Sequence, residues 1–211
     1  MKEILYIAAR APRAGEVKTR LGAAIGYQAA ADLYEGFLQD LQQRFSKASF
    51  PVCWYVTPGD WADRPHREQG EGDWTTRQAR LFEAAAARGE ERVVLIASDS
   101  PHLEVAVIHE AFAELERHEV VLGPVPDGGY YLIGMRGWHD VFSGVRMTTP
   151  TAMQDICNRA ADLNLSVGFT ERSFDVDELA DLGRLTAEAR NRADLHHTRA
   201  ALVRLKATVP A

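Results

Sequence analysis

The stretch RVVLIAS at 92–98 constrains the fold of this chain more than any other. Val93, Val94, Leu95, Ile96 and Ala97 follow one another without a polar break, so a strand here is apolar on both faces. Such a strand belongs inside a sheet that is covered on both sides. It ends abruptly at Asp99, Ser100 and Pro101, which should sit where the sheet emerges.

The rest of the chain supplies the cover. ILYIAA (4–9) and PVCWYVT (51–57) have the same strand character, and apolar residues at Ala30, Leu33, Phe37, Leu41 and Phe45 fall at helical spacing over 27–45. The Pro/Gly/charge-rich segment from 58 to 73 reads as a loop, followed by a helix over about 76–88 that stops near Gly89. A helix over about 104–117, strands at EVVLGPV and YYLIGM, a helix from about Thr149 and a strand at LSVGFT come next. FDVDELADL opens a further helix, and a helical tail runs from about 186. Strands alternating with helices of this length predict an α/β domain with a mostly parallel sheet between two helical layers.

At 211 residues, the chain is expected to form one domain. Hydrophobic residues at 46% and charged residues at 26% give it ordinary globular composition, enough for a sizeable core. A formal net charge of −6 argues against a surface built for nucleic acid or anionic membrane. Cys53 and Cys157 are far apart and have no metal or redox spacing, so they read as buried thiols in a reducing compartment. No signal-like start and no apolar run of about 20 residues is present, which points to the cytoplasm. Leu195, Leu202 and Leu205 lie among charges in the tail and suit packing on the chain's own sheet or a homodimer contact.

Ligands of such sheets collect at the carboxyl ends of the strands. That rule brings together three loops: 10–20, 98–101 and 124–129. The first, APRAGEVKTRLG at 11–22, has Pro12 and Gly15 shaping its backbone and Lys18 and Arg20 as cations before a helical pattern. A strand, a glycine-containing loop and a helix start expose backbone N–H groups to an anion. Neither the Walker nor the dinucleotide glycine spacing is present, and the loop alone reads equally well as a solvated basic turn.

Asp99 at the end of the central strand suits Mg²⁺ or Mn²⁺, which prefer oxygen ligands, whereas a helix cap is the plainer role for Asp99 or Ser100. Asp127-Gly128-Gly129 is a natural hairpin turn, and its glycines beside Tyr130 and Tyr131 would also admit a flat or sugar-like ligand. Asp175 and Asp177 precede a helix, so capping and metal ligation are both open. His102 is expected at the rim of this region, and His196 and His197 in an exposed helix. No Ser-His-Asp or Cys-His pattern and no basic–aromatic stripe for nucleic acid is found.

Taken in order, AARAPRAGEVKTRLG, IASDSPHL, VVLGPVPDGGYYLIGM, TTPTAM and DVDELADL resemble a bacterial family of GT-A-like nucleotide-diphospho-sugar transferases. That family is long catalogued as a domain of unknown function, and some members are labelled glycosyltransferases of arsenosugar biosynthesis. The chain is more distantly similar to 2-phospho-L-lactate guanylyltransferase and the molybdenum-cofactor nucleotidyltransferases. The resemblance spans roughly residues 3–185 and implies a three-layer α/β/α sandwich around a mixed, mostly parallel sheet.

It also implies roles. Ala11, Pro12, Gly15, Lys18, Arg20 and Arg77 would meet the nucleotide and its phosphates. Asp99 would carry Mg²⁺ or Mn²⁺ with Asp177 as second ligand and Asp175 as the alternative. Ser100, Asp127, Gly128, Gly129 and Tyr130 would border the sugar or acceptor, with Asp99, Lys18 and Asp127 as the catalytic set and Asp127 as base. One departure is that relatives read Asp-Leu-Gly before an Arg, where this chain has DWTTR at 73–77, with Thr75 in place of the glycine. Three activities follow: glycosyl transfer from a nucleotide-sugar to a small acceptor, nucleotidyl transfer from an NTP, and nucleotide binding without catalysis.

Overall fold

Alternate residues of the first strand, β1 (Glu3–Ala9), enter two different cores. Leu5, Ile7 and Ala9 join one, Tyr6 and Ala8 the other, because successive side chains of a strand point to opposite faces. Strand β4 (Arg92–Ala97) divides likewise, with Val94 and Ile96 on the first side and Val93 and Leu95 on the second. The apolar run that opened the sequence analysis is thus buried on both faces. The computed structural model describes residues 2–147 and 149–208, and Thr148 of the TTPTAM segment lies outside them.

Five more strands complete the sheet: β2 (Val52–Val56), β3 (His66–Glu68), β5 (Val120–Pro124), β6 (Tyr130–Arg136) and β7 (Val167–Phe169). Their order is β3-β2-β1-β4-β6-β5-β7, and only β6 runs against its neighbours. The sheet is therefore mixed and mostly parallel, as expected. Helices α1 (Thr19–Ile25), α2 (Tyr27–Phe45), α4 (Val105–Glu114), α6 (Asp181–Arg190) and α7 (His196–Thr208) cover one face, with Leu21, Phe37, Ile108, Leu185 and Leu202 in that core. Helices α3 (Trp74–Ala87) and α5 (Ala152–Asp162) cover the other through Leu81, Phe82, Ala85, Ile156 and Ala160. The result is a three-layer α/β/α sandwich.

Some elements differ from the expectation. The segment 58–73 contains β3, an edge strand whose three residues are all exposed, so it carries no apolar alternation to reveal it. α1 lies between the opening loop and α2, and Gly26 at φ 92° separates the two helices. Helix α5 starts at Ala152 rather than Thr149, after a turn through Pro150 and Thr151. Phe174–Ala180 is irregular, and α6 begins only at Asp181. Leu195, Leu202 and Leu205 are buried in the chain's own interior, so the tail packs on its own domain.

Register places the site. Ala8 of β1 is level with Ala97 of β4, and the Ser98 N–H reaches the Ala8 carbonyl at 3.1 Å. The loop after β1 and the Asp99 segment therefore leave the sheet side by side. After β7 the chain turns back across that edge. Its N–H groups bond Leu122 (from Thr170, 3.0 Å), Pro124 (from Ser173, 3.0 Å) and Asp99 (from Val176, 3.0 Å) in turn. This return segment delivers Asp175 and Asp177 to Asp99.

The hairpin between β5 and β6 is fixed by packing. Gly128 has φ +89°, and a Cβ there would stand 1.8 Å from the Pro150 carbonyl oxygen. Gly128→Ala should therefore cost at least about 3 kcal/mol of stability, from backbone strain and overpacking together. Urea unfolding measures it, and an unchanged midpoint would contradict this contact.

Candidate active site

A cavity of about 580 Å³ opens at the carboxyl edge of the sheet, large enough for a nucleotide-sized ligand. At one end lie Lys18, Arg20, Asp99, Asp175 and Asp177; at the other lie Gln69, Gly72, Trp74, Arg77 and Tyr130.

Lys18 sits at the start of α1 in the left-handed conformation, φ 46° and ψ 45°, which disfavours any residue with a Cβ. Tertiary contacts hold it there. Its ammonium, with a side chain only 4% exposed, is paired with Asp99 and lies 2.9 Å from Asp177 Oδ1. Burial alone would lower its pKa, but the Asp99 and Asp177 carboxylates outweigh that and hold it above the usual lysine range. The aromatic face of Tyr34 is 5.9 Å beneath the ammonium. Tyr34 shares a 2.7 Å hydrogen bond with Ser98 and accepts one from the Arg10 N–H, and burial pushes its phenol up to about 12.

Asp175 is the third carboxyl at this end and has no ion-pair partner among the described residues. Ser100 Oγ donates to Asp175 Oδ1 at 2.5 Å and is placed within 2.8 Å of the Phe174 carbonyl. Burial, reinforced by the neighbouring charge of Asp99, raises the Asp175 carboxyl to about 7. Arg20 is exposed at the mouth, 3.7 Å from Glu178.

At the far end, the Arg77 guanidinium donates to Gln69 Oε1 at 3.2 Å, while its buried Nε has no partner among the described residues. Gln69 is pinned by bonds from its amide to the Ala9 and Tyr55 carbonyls. Burial raises the Tyr130 phenol, which donates to Gln78 Oε1 at 3.0 Å. Asp73 caps α3 by accepting the Thr76 N–H at 2.8 Å. The Thr75 hydroxyl turns toward the Val145 carbonyl at 3.4 Å, and Thr75 does not line the cavity. Gly72, at φ +106°, supplies the open backbone there instead.

Of the residues expected at a site, Lys18, Arg20, Arg77, Asp99, Asp177 and Tyr130 line this cavity together with the alternative Asp175. Ala11, Pro12, Gly15, Ser100, Asp127, Gly128 and Gly129 do not. Ala11 is buried, with its N–H on Thr57, and Gly15 turns in solvent at φ +82°. Ser100 is fully buried and orients Asp175 rather than capping α4, whose cap position is Glu104. Asp127 is exposed and accepts its own turn's Gly129 N–H at 3.0 Å, while Gly128 is packed on Pro150. His102 is buried against Phe174 and bonded to Ser173, and burial beside Arg192, Arg184 and Arg44 pushes it down to about 3. It is a neutral structural residue, not part of a rim. Gln69, Gly72 and Trp74 were missed because their segment reads as loop; glycines beside the Asp73 cap were the available signal.

Asp99 and Asp177 converge on one cation position, which the Lys18 ammonium takes. Both carboxylates are partly exposed, at 38% and 50%. An all-oxygen pair with room for waters fits Mg²⁺ or Mn²⁺.

Residues 53–149 match a family described as "Uncharacterized protein conserved in bacteria (DUF2064)". This DUF2064 segment runs from β2 past β6 and contains Arg77, Asp99 and Tyr130, while Lys18 and Asp177 lie on either side of it. Over 98% of this chain and 96% of the other, the structure is similar to a protein from Desulfovibrio desulfuricans G20 provisionally described as a nucleotide-diphospho-sugar transferase, with TM-score 0.89 and 29% identity. The fold is shared with a cytidylyltransferase from Leptospira borgpetersenii (TM-score 0.57, 13% identity, 98% and 94% of the two chains). It is also shared with 2-C-methyl-D-erythritol 4-phosphate cytidylyltransferase from Thermus thermophilus (TM-score 0.53, 18% identity, 90% and 100%). These neighbours are transferases. Among curated proteins none matches the sequence. No helix of the described residues is long and apolar enough to cross a membrane.

The raised Asp175 carboxyl has a consequence for stability. A carboxyl whose folded pKa lies above its unfolded value stabilises the fold while it is protonated, and that contribution is lost as pH rises toward about 7. Asp175→Asn, permanently neutral, should therefore gain thermal stability relative to wild type as pH goes from 5 to 8. Melting curves across that range test it; a constant difference would contradict the raised value.

Proposed function

We propose that this chain is a metal-assisted transferase whose donor is a nucleotide-diphospho-sugar and whose acceptor is a small molecule. The observation that carries this reading is Lys18 locked between Asp99 and Asp177 at one end of a ligand-sized cavity. Breaking the sugar–diphosphate bond builds negative charge on the departing phosphates. Mg²⁺ or Mn²⁺ on Asp99 and Asp177 would supply Lewis-acid stabilisation of that charge.

The chain's own residues do the rest. A cation held by Asp99 and Asp177 would take over the partners of the Lys18 ammonium, whose charge would then be available to the donor's phosphates. Arg20 at the mouth adds attraction for an anionic ligand. Arg77, the pinned amide of Gln69 and Trp74 line the end of the cavity where the nucleoside would lie. Tyr130, anchored on Gln78, closes the wall between them.

Nucleotidyl transfer from an NTP is a second reading, favoured by where Asp127 lies. A hydroxyl acceptor in an inverting transfer needs a base, yet the Asp127 carboxylate is outside the cavity and engaged in its own turn. An acceptor phosphate is already ionised and needs none. Pyrophosphate release, measured over an NTP panel with phosphorylated small acids, separates the readings. Robust release would overturn glycosyl transfer, and nucleoside diphosphate release from a nucleotide-sugar would support it.

Lys18→Met should lower turnover roughly 10- to 150-fold, the worth of one charge-assisted hydrogen bond of about 1.5–3 kcal/mol. The same variant should bind Mn²⁺ about tenfold tighter without nucleotide, because no ammonium competes for the carboxylates. Electron paramagnetic resonance of free Mn²⁺ reads this directly, and weaker binding would refute the exchange.

A further inference from the structure

Away from the residues that line the cavity, the start of α7 presses two histidines against a buried carboxylate. Asp40 of α2 is completely buried and accepts the backbone N–H of His197 at 3.0 Å and of Thr198 at 2.8 Å. His196 Nδ1 lies 3.7 Å from Asp40 Oδ1, and the two imidazole rings stand 3.8 Å apart. One ligand atom from each of Asp40, His196 and His197 lies within 4.8 Å of the others. None of the three lines the cavity.

Capping of α7 accounts for part of this arrangement. It uses one lone pair on each carboxylate oxygen, and a carboxylate offers about four acceptor sites. It does not account for two imidazoles gathered on the same group. Nor does it account for Thr198, whose buried hydroxyl has no partner among the described residues. The approach is close by design of the sequence: a Cβ on Gly36 of α2 would stand 3.1 Å from the His197 carbonyl group.

We propose that Asp40, His196 and His197 form a site for a divalent transition metal ion, with Zn²⁺ as the ion it suits best. Two imidazoles and one carboxylate exclude Mg²⁺ and match Zn²⁺, whose bonds of about 2.0–2.2 Å need ligand atoms roughly 3–3.5 Å apart. The ligand atoms already lie within 4.8 Å of one another. His196, 42% exposed, can turn and leaves a solvent side for water as fourth ligand. The carboxylate is already oriented by two backbone N–H bonds, the kind of outer support that metal ligands use. Bound metal would clamp α7 onto α2, and because none of its three ligands lines the cavity, the site does not rest on the proposed activity.

The test uses the full chain without a histidine tag, stripped by chelator. Calorimetric titration with Zn²⁺ should give one site per chain, thermal unfolding should rise by several degrees, and Co²⁺ should produce the visible absorption of a four-coordinate ion. His196→Ala and His197→Ala should each weaken Zn²⁺ at least tenfold, whereas Asp99→Asn should retain it. Zn²⁺ should also protect both histidines of the wild-type chain from acylation by diethyl pyrocarbonate, a readout that needs no variant. Absence of saturable binding, unchanged affinity in a folded double histidine variant, unprotected histidines, or loss of the site in Asp99→Asn would each overturn the proposal.

Discussion

One ammonium group organises the working edge of this protein. Burying the Lys18 charge would be prohibitive without partners, and the two carboxylates that supply them come from distant parts of the chain. Asp99 stands at the end of the central strand, and Asp177 on the segment that returns after the last strand. The same contact holds Lys18 in a left-handed backbone conformation that it would not adopt by preference. Three loops thus share one electrostatic anchor, and a cation position exists because the fold already needs a cation there.

The scaffold makes that meeting unavoidable. Parallel register sets the ends of β1 and β4 side by side, and backbone bonds to Leu122, Pro124 and Asp99 lead the return segment across the edge. Ser100 then turns inward to hold Asp175, so the wall behind the cation is itself hydrogen-bonded. Below the edge, the Arg184 guanidinium lies 3.8 Å from the Phe174 ring, which stacks on His102, and this column supports the return segment from the helical layer. The proposed metal site at Asp40 joins α7 to α2, the helix that also carries Tyr34 beneath the Lys18 ammonium.

Much of this was legible in the residues themselves. Asp99 could be placed at a sheet edge because an unbroken apolar run before it permits no other setting, and Lys18 because it follows a strand and precedes a helix. Other features were hidden for physical reasons. β3 consists of three exposed polar residues on an edge strand, so burial left no pattern to read. Of the two roles open for Asp175 and Asp177, capping gave way to long-range contacts with Ser100 and Lys18, which no local rule anticipates. Asp127 and Gly128 carried a signal with two meanings, and the turn claimed both residues for itself. Gln69 and Trp74 were obscured by a charged, glycine-rich neighbourhood whose shape depends on packing beneath it.

The return segment also dictates an order of assembly. Asp177 is 159 positions from Lys18 in the chain, and contacts of such separation are the last to repay their loop-closure entropy. During synthesis the first four strands can pair while the ammonium has only Asp99 for company. The cavity acquires its finished charge balance when the final quarter of the polypeptide arrives. A nascent chain stalled before that point would hold a sheet whose edge lacks the second carboxylate of the Lys18 pair.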